Sequence, residues 1–138
     1  MKDCLLTTID DCRLIKSGSH GDGSVGMLNV MQPGDELPFE IRRLYYISRV
    51  PPGVRRGCHS HISLSQVIIP VSGSFEVLID DGRCRRKIMM DRSDEGLLIV
   101  PGIWHELSSF SRDAVCLVAA SDLSLIHISE PTRHAQIS

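Results

Sequence analysis

Two histidines one residue apart, His59 and His61, lie in the segment GVRRGCHSHISLSQVIIPVSG from Gly53 to Gly73, which also carries Gln66. On an extended strand alternate side chains share a face, so the two imidazoles are expected to project together. An imidazole titrates near pH 6.5 and can take up and return protons at neutral pH with little mismatch. Such a pair is suited to acid–base catalysis worth roughly 10²- to 10⁴-fold in rate. A third histidine, His105, follows the Pro101–Gly102 turn in GLLIVPGIWHELS. Three imidazoles around an open position also suit Zn, Fe, Cu or Ni, so a metal centre is the first competing reading.

Other side chains extend the constellation. Arg43 and Tyr45 share strand parity with Ile41 and Ile47, so if the isoleucines face inward the arginine and the phenol line the same cavity. Tyr46 then faces a neighbouring element or a partner subunit. Trp104, the only tryptophan, either stacks on a ligand ring or fills the core. The Asp80–Asp81–Gly82 turn reads as structural, because its aspartates suit a tight hairpin.

These residues need a β scaffold, and the chain supplies one. Strands are expected at Met27–Met31, Ile41–Val50, Gln66–Val71, Ser74–Asp80, Cys84–Met90, Leu97–Val100 and Ala114–Ala120. Pro33–Gly34, Pro51–Pro52–Gly53, Asp81–Gly82 and Pro101–Gly102 punctuate them, with Asp81–Gly82 the clearest hairpin. The first 120 residues contain no sustained i, i+3, i+4, i+7 apolar pattern and no internal repeat of 20–50 residues. The fold class is therefore all-β, a sandwich or jelly roll around one apolar centre.

The bulk numbers bound the function. A chain of 138 residues fits one domain, which buries roughly two-thirds of its unfolded surface. With 15 Lys+Arg against 17 Asp+Glu there is no basic field, and nucleic acid is excluded as an expected partner. No run approaches the roughly 20 apolar residues that span a bilayer, so a soluble, cytoplasmic protein with no membrane partner is expected. The five cysteines are an odd number without a CxxC pair, which signals neither a disulfide framework nor a thiolate zinc site.

The His59–His61 spacing resembles the first cupin motif, in which the place of Gln66 is usually a glutamate metal ligand. GLLIVPGIWHELS is similar to the second, with His105 where that motif carries its last histidine. Replacing a carboxylate by Gln66 removes a negative charge and weakens the case for a dication. PFEIRRLYYI, RRGCHSH, LIDDG, GLLIVPGIWHEL and FSRDAVCLVAAS, read together over roughly Gly21 to Ser121, resemble the dTDP-4-keto-6-deoxyglucose 3,4-ketoisomerases, a WxcM-like group of cupins. The resemblance implies a double-stranded β-helix (cupin jelly roll) and a homodimeric, metal-independent isomerase with no cofactor. Its substrate would be a dTDP-linked 4-keto-6-deoxy sugar, made for deoxyamino-sugars of surface polysaccharide.

The same resemblance implies His59, His61 and Tyr45 as catalytic residues, and Arg43, Arg56, Gln66, Trp104 and His105 as substrate-binding ones. Arg56 would stabilise enediolate charge or bind pyrophosphate, because a guanidinium presents a fixed fork of donors. A sugar-nucleotide epimerase of the same superfamily and a non-catalytic sugar-nucleotide-binding cupin are the alternatives. Two segments depart from the family. Its D-x-R-G-x-L stretch appears as Asp22–Gly23–Ser24–Val25–Gly26–Met27–Leu28, without the arginine. Its aromatic, acidic tail is replaced by LSLIHISEPTR, Leu123 to Arg133, which resembles a translated sequencing adapter. The expected organisation is a cupin domain over 1–122 and a non-native tail over 123–138, to which no function is assigned.

Overall fold

Apolar residues at every second position, cut by glycine and proline turns, favour strands that bury one face and wet the other. The computed structural model describes residues 7–122, so the adapter-like stretch lies outside the described residues. Among these residues eleven strands follow one another: β1 (Arg13–Lys16), β2 (Gly18–Asp22), β3 (Gly26–Val30), β4 (Arg43–Ser48), β5 (Arg56–His59), β6 (Gln66–Ser72), β7 (Phe75–Asp80), β8 (Arg85–Met90), β9 (Glu95–Ile99), β10 (Trp104–Ser108) and β11 (Val115–Ala120). Among the described residues a 3₁₀ turn, Ile9–Asp11, precedes them.

Two antiparallel sheets make the body. One has the order β1-β9-β6-β11-β4 and the other β5-β10-β7-β8, while β2 and β3 form a separate hairpin. Neighbours in space are thus mostly not neighbours in sequence, and the fold is the all-β cupin jelly roll. The clearest alternation is on β7, where Phe75, Val77 and Ile79 are fully buried. They meet Ile68, Leu97, Ile99, Cys116 and Val118 of the larger sheet in the main core. The larger sheet buries part of its other face too, where Ile15, Val67 and Leu98 pack under Leu37. This is why β6 and β9 read as continuous apolar runs rather than alternating ones.

The Asp81 turn is structural, as its sequence suggests. One Asp81 oxygen accepts from the backbone N–H groups of Arg83 and Cys84, both at 2.8 Å, and the other accepts from Ile9 N–H at 2.9 Å. These three donors hold its carboxyl down to about 2. A hairpin turn therefore also anchors the amino-terminal segment.

Four strands go beyond those expected from sequence: β1, β2, β5 and β10. They are short and rich in Gly, Arg, Lys or His, so propensity hides what cross-strand pairing creates. The expected strand from Ile41 is shorter at its start, because Ile41 lies outside β4 and is 39% exposed. Its isoleucine partner in the parity argument, Ile47, is buried as expected. Cys12, Cys84 and Cys116 are free thiols.

Phe75 packs its ring 5.4 Å from that of Phe110 at the centre of the main core. Phe75→Ala is expected to cost about 3–5 kcal/mol of unfolding free energy. Urea denaturation should show a lowered midpoint with an unchanged m-value.

Candidate active site

The site is built where β5 crosses β10. These strands pair antiparallel with His59 opposite His105, and with Arg56 opposite Leu107. Two residues of β5, Gly57 and Cys58, thus face one of β10, Glu106, a bulge at Gly57, whose φ is +67°. Only glycine enters this conformation without strain. A Cβ at Gly57 would also stand 3.2 Å from Leu107 Cδ1 and 3.6 Å from His105 Cδ2. The bulge has a consequence that strict alternation would not give. Arg56 and His59, an odd number of residues apart, both lie across from inward-facing partners on β10.

His61 lies just past the end of β5. Its position is set from elsewhere, since its carbonyl accepts from Gly102 N–H at 2.8 Å. The Pro101–Gly102 turn that delivers His105 thereby also fixes His61. The result is a buried cluster: His59 and His61 are each 7% exposed and His105 is 3% exposed. Nε2 of His59 and Nε2 of His61 are 3.0 Å apart, with the rings at 85° to one another. One nitrogen donates and the other accepts, so this pair shares a proton. The His105 ring lies 5.1 Å from that of His59 and 6.0 Å from that of His61.

Gln66 enters from β6 of the opposite sheet, and its amide nitrogen is 2.9 Å from His105 Nε2. The contact spans the barrel and is sealed from water, with Gln66 only 2% exposed. Burial drives the His105 imidazole down to about 3, the charges of His59 and His61 push the same way, and the Ile103 carbonyl opposes them. His105 is therefore neutral at neutral pH.

A second group lines a cleft of about 440 Å³ that includes Arg43, Tyr45, Arg49, Val54 and Arg56. The Arg43 guanidinium stands 4.6 Å over the Tyr45 ring, a cation–π arrangement. Burial pushes the Tyr45 phenol up to about 12, with Arg43 and Arg56 opposing and Cys116 adding to the rise. Tyr45 is thus a hydrogen-bond donor at neutral pH rather than a base. Arg49 was not singled out by the sequence. Its φ of +58°, unusual for a residue with a side chain, turns a third guanidinium into the cleft.

The structure therefore brings together His59, His61, His105 and Gln66, and beside them Arg43, Tyr45 and Arg56. It does not bring in Trp104. On β10 His105 and Leu107 point inward, so Trp104 and Glu106 point out. Trp104 Nε1 donates to Glu106 at 2.9 Å, and Glu106 also pairs with Arg55 at 2.9 Å. The expected contact of Trp104 with substrate is corrected to this outer network.

A metal was the competing reading, and the donor set fits it poorly. The nearest ligand nitrogens of the three histidines lie within 4.8 Å of one another, but the fourth position is an amide. The Gln66 nitrogen, a donor, faces the Nε2 lone pair of His105. That leaves no carboxylate to offset a dication's charge.

The family model described as FdtA, WxcM-like, C-terminal matches residues 10–124. The chain belongs to this family. It is 39% identical over 99 residues to the TDP-4-oxo-6-deoxy-alpha-D-glucose-3,4-oxoisomerase of Aneurinibacillus thermoaerophilus, covering 72% of this chain and 71% of that one. Among solved structures it is similar to the WlaRB TDP-quinovose 3,4-ketoisomerase from Campylobacter jejuni, with TM-score 0.80, 38% identity, and 86% and 90% of the two chains covered. It is also similar to a histidine-to-asparagine variant of the 3,4-ketoisomerase QdtA from Thermoanaerobacterium thermosaccharolyticum, in complex with TDP-4-keto-6-deoxyglucose. There the TM-score is 0.80 and the identity 32%, with 83% of each chain covered. A 3,5-epimerase, RmlC from Legionella pneumophila, shares the fold at TM-score 0.71 and 17% identity.

The buried histidine of this FdtA-family chain links stability to pH. The folded His105 value lies below the unfolded 6.5, so the unfolded chain binds the extra proton. Its stabilising effect is complete above about pH 6.5 and is lost on acidification toward about pH 3. Urea melts at about pH 7.5 and about pH 5 should show this loss, and His105→Asn should make the dependence shallower. Gly57→Ala is expected to cost about 1–2 kcal/mol, as left-handed backbone does, read in the same melts.

Proposed function

We propose that the chain is a sugar-nucleotide 3,4-ketoisomerase that moves the ketone of a dTDP-4-keto-6-deoxyhexose from C4 to C3. The observation that carries this reading is the 3.0 Å Nε2–Nε2 contact of His59 and His61, buried between the two sheets. In the forward direction one imidazole removes the proton on C3 while the C4 carbonyl oxygen gains a proton, giving an enediol. The C3 hydroxyl then loses its proton and C4 gains one, leaving a C3 ketone. Electrons move only within the sugar, so the reaction needs no external redox partner. A linked pair of bases suits two adjacent carbons, since each nitrogen can recharge the other between steps.

The remaining residues take roles that follow from their chemistry. Tyr45, protonated through neutral pH, donates to a sugar oxygen. Arg56 and Arg43, with Arg49, give the cleft three guanidiniums, which match a diphosphate or a developing enediolate. The product serves deoxyamino-sugar synthesis for surface polysaccharide. No helix among the described residues is long and apolar enough to cross a membrane, in keeping with a cytoplasmic enzyme. A homodimer is part of this reading. It is supported by an apolar groove of about 450 Å³ on the outer face of the larger sheet, where Leu44, Ile69, Val71 and Leu117 gather.

Incubation with dTDP-4-keto-6-deoxyglucose, followed by NMR of the ring protons, should show the C3-keto product. His59→Asn and His61→Asn are each expected to lower kcat by about 10²- to 10⁴-fold while leaving TDP affinity near wild type. Tyr45→Phe should cost about tenfold, the value of one lost hydrogen bond of roughly 1.5 kcal/mol. Inversion at a carbon beside an unmoved ketone would make the chain an epimerase, and tight binding without turnover would make it a binding module.

A further inference from the structure

Gln66 was expected to touch substrate, yet its amide nitrogen faces another side chain. It sits 2.9 Å from Nε2 of His105, in a contact that joins the two sheets where neither residue meets water. An amide nitrogen only donates, so Nε2 of His105 must accept, and a neutral imidazole accepting at Nε2 carries its proton on Nδ1. On β5, His59 is the cross-strand partner of His105, and its ring is 5.1 Å away. An uncapped Nε2 here would leave the His105 tautomer open, beside the pair that must hand the proton on.

We propose that Gln66 is a positioning residue: its amide N–H caps Nε2 of His105, fixes that ring as the Nδ1–H tautomer, and confines the relayed proton to His59 and His61. The catalytic consequence rests on the isomerase reading above, whereas the tautomer does not. Three features make the cap effective. The amide reaches across the barrel from β6, so its position does not depend on the β5–β10 bulge. Burial leaves no water to replace it. The His105 ring is also packed over Gly57, which leaves it little freedom to turn its other nitrogen toward the amide.

The test joins a spectroscopic and a kinetic reading. Long-range ¹H–¹⁵N NMR of the wild-type protein should assign His105 as Nδ1–H at neutral pH. Gln66→Glu replaces the donor by an acceptor of the same shape and should move the ring proton to Nε2. Gln66→Met, which removes the donor, should lower kcat about tenfold with KM within about twofold of wild type. A wild-type His105 protonated on Nε2 overturns the proposal whatever the variants do, and so does a Gln66→Met enzyme with unchanged kcat. A change confined to KM would instead return Gln66 to a substrate contact and also overturn it. If the wild-type protein turns over no keto sugar, the isomerase reading fails while the NMR assignment still decides whether Gln66 sets the tautomer.

Discussion

The structure depends on a burial problem: three imidazoles lie inside an apolar barrel, where an unsatisfied nitrogen costs about 1–3 kcal/mol. The molecule meets it at the Nε2 atoms of the cluster. His59 and His61 satisfy one another through Nε2, and Gln66 satisfies His105 from the opposite sheet. Each solution demands precise backbone. The first needs His61 held past the end of β5 by the Gly102 N–H. The second needs β6 and β10 facing each other across the core, which is the arrangement the two-sheet topology enforces.

Because the cluster is sealed from water, charge is handled elsewhere. The guanidiniums of Arg43, Arg49 and Arg56 line the neighbouring cleft, and Tyr45 stands under Arg43 with its phenol held protonated. The guanidiniums and the imidazoles thus form adjacent but distinct groups. In the proposed reaction this lets the anionic end of a nucleotide sugar supply affinity, while the buried histidines act on the sugar ring.

Much of this was legible in the residues, for identifiable reasons. The turns and the strands from β6 to β9 carry strong local signals, since Asp81–Gly82 and the alternation of Phe75, Val77 and Ile79 need no tertiary context. The inward aim of His59 followed from period-two geometry and the convergence of His105 from motif order, whereas His61, past the end of β5, is held by the Pro101–Gly102 turn. What failed was reasoning that needed register. Trp104 precedes His105 by one residue, so the alternation that buries the histidine turns the tryptophan away. Ile41 falls before β4 begins, and its shared parity with Ile47 did not make it inward. The strands β1, β2, β5 and β10 are too short and polar to announce themselves, and exist because a neighbour pairs with them.

Arg56 shows most plainly why local rules give out at a functional site. By simple alternation it belongs on the face opposite His59, and a sequence argument applied consistently would have discarded it. The Gly57 bulge inserts one residue and brings Arg56 back opposite Leu107, on the His59 side of the sheet. The signal was present as a lone glycine inside RRGCH, where a strand gains nothing from glycine's missing side chain. Reading such a glycine as a register change, rather than as a weak point in a strand, converts a discarded arginine into a cleft residue. One positive φ thus places the Arg56 guanidinium on the His59 side of the sheet instead of on the far side.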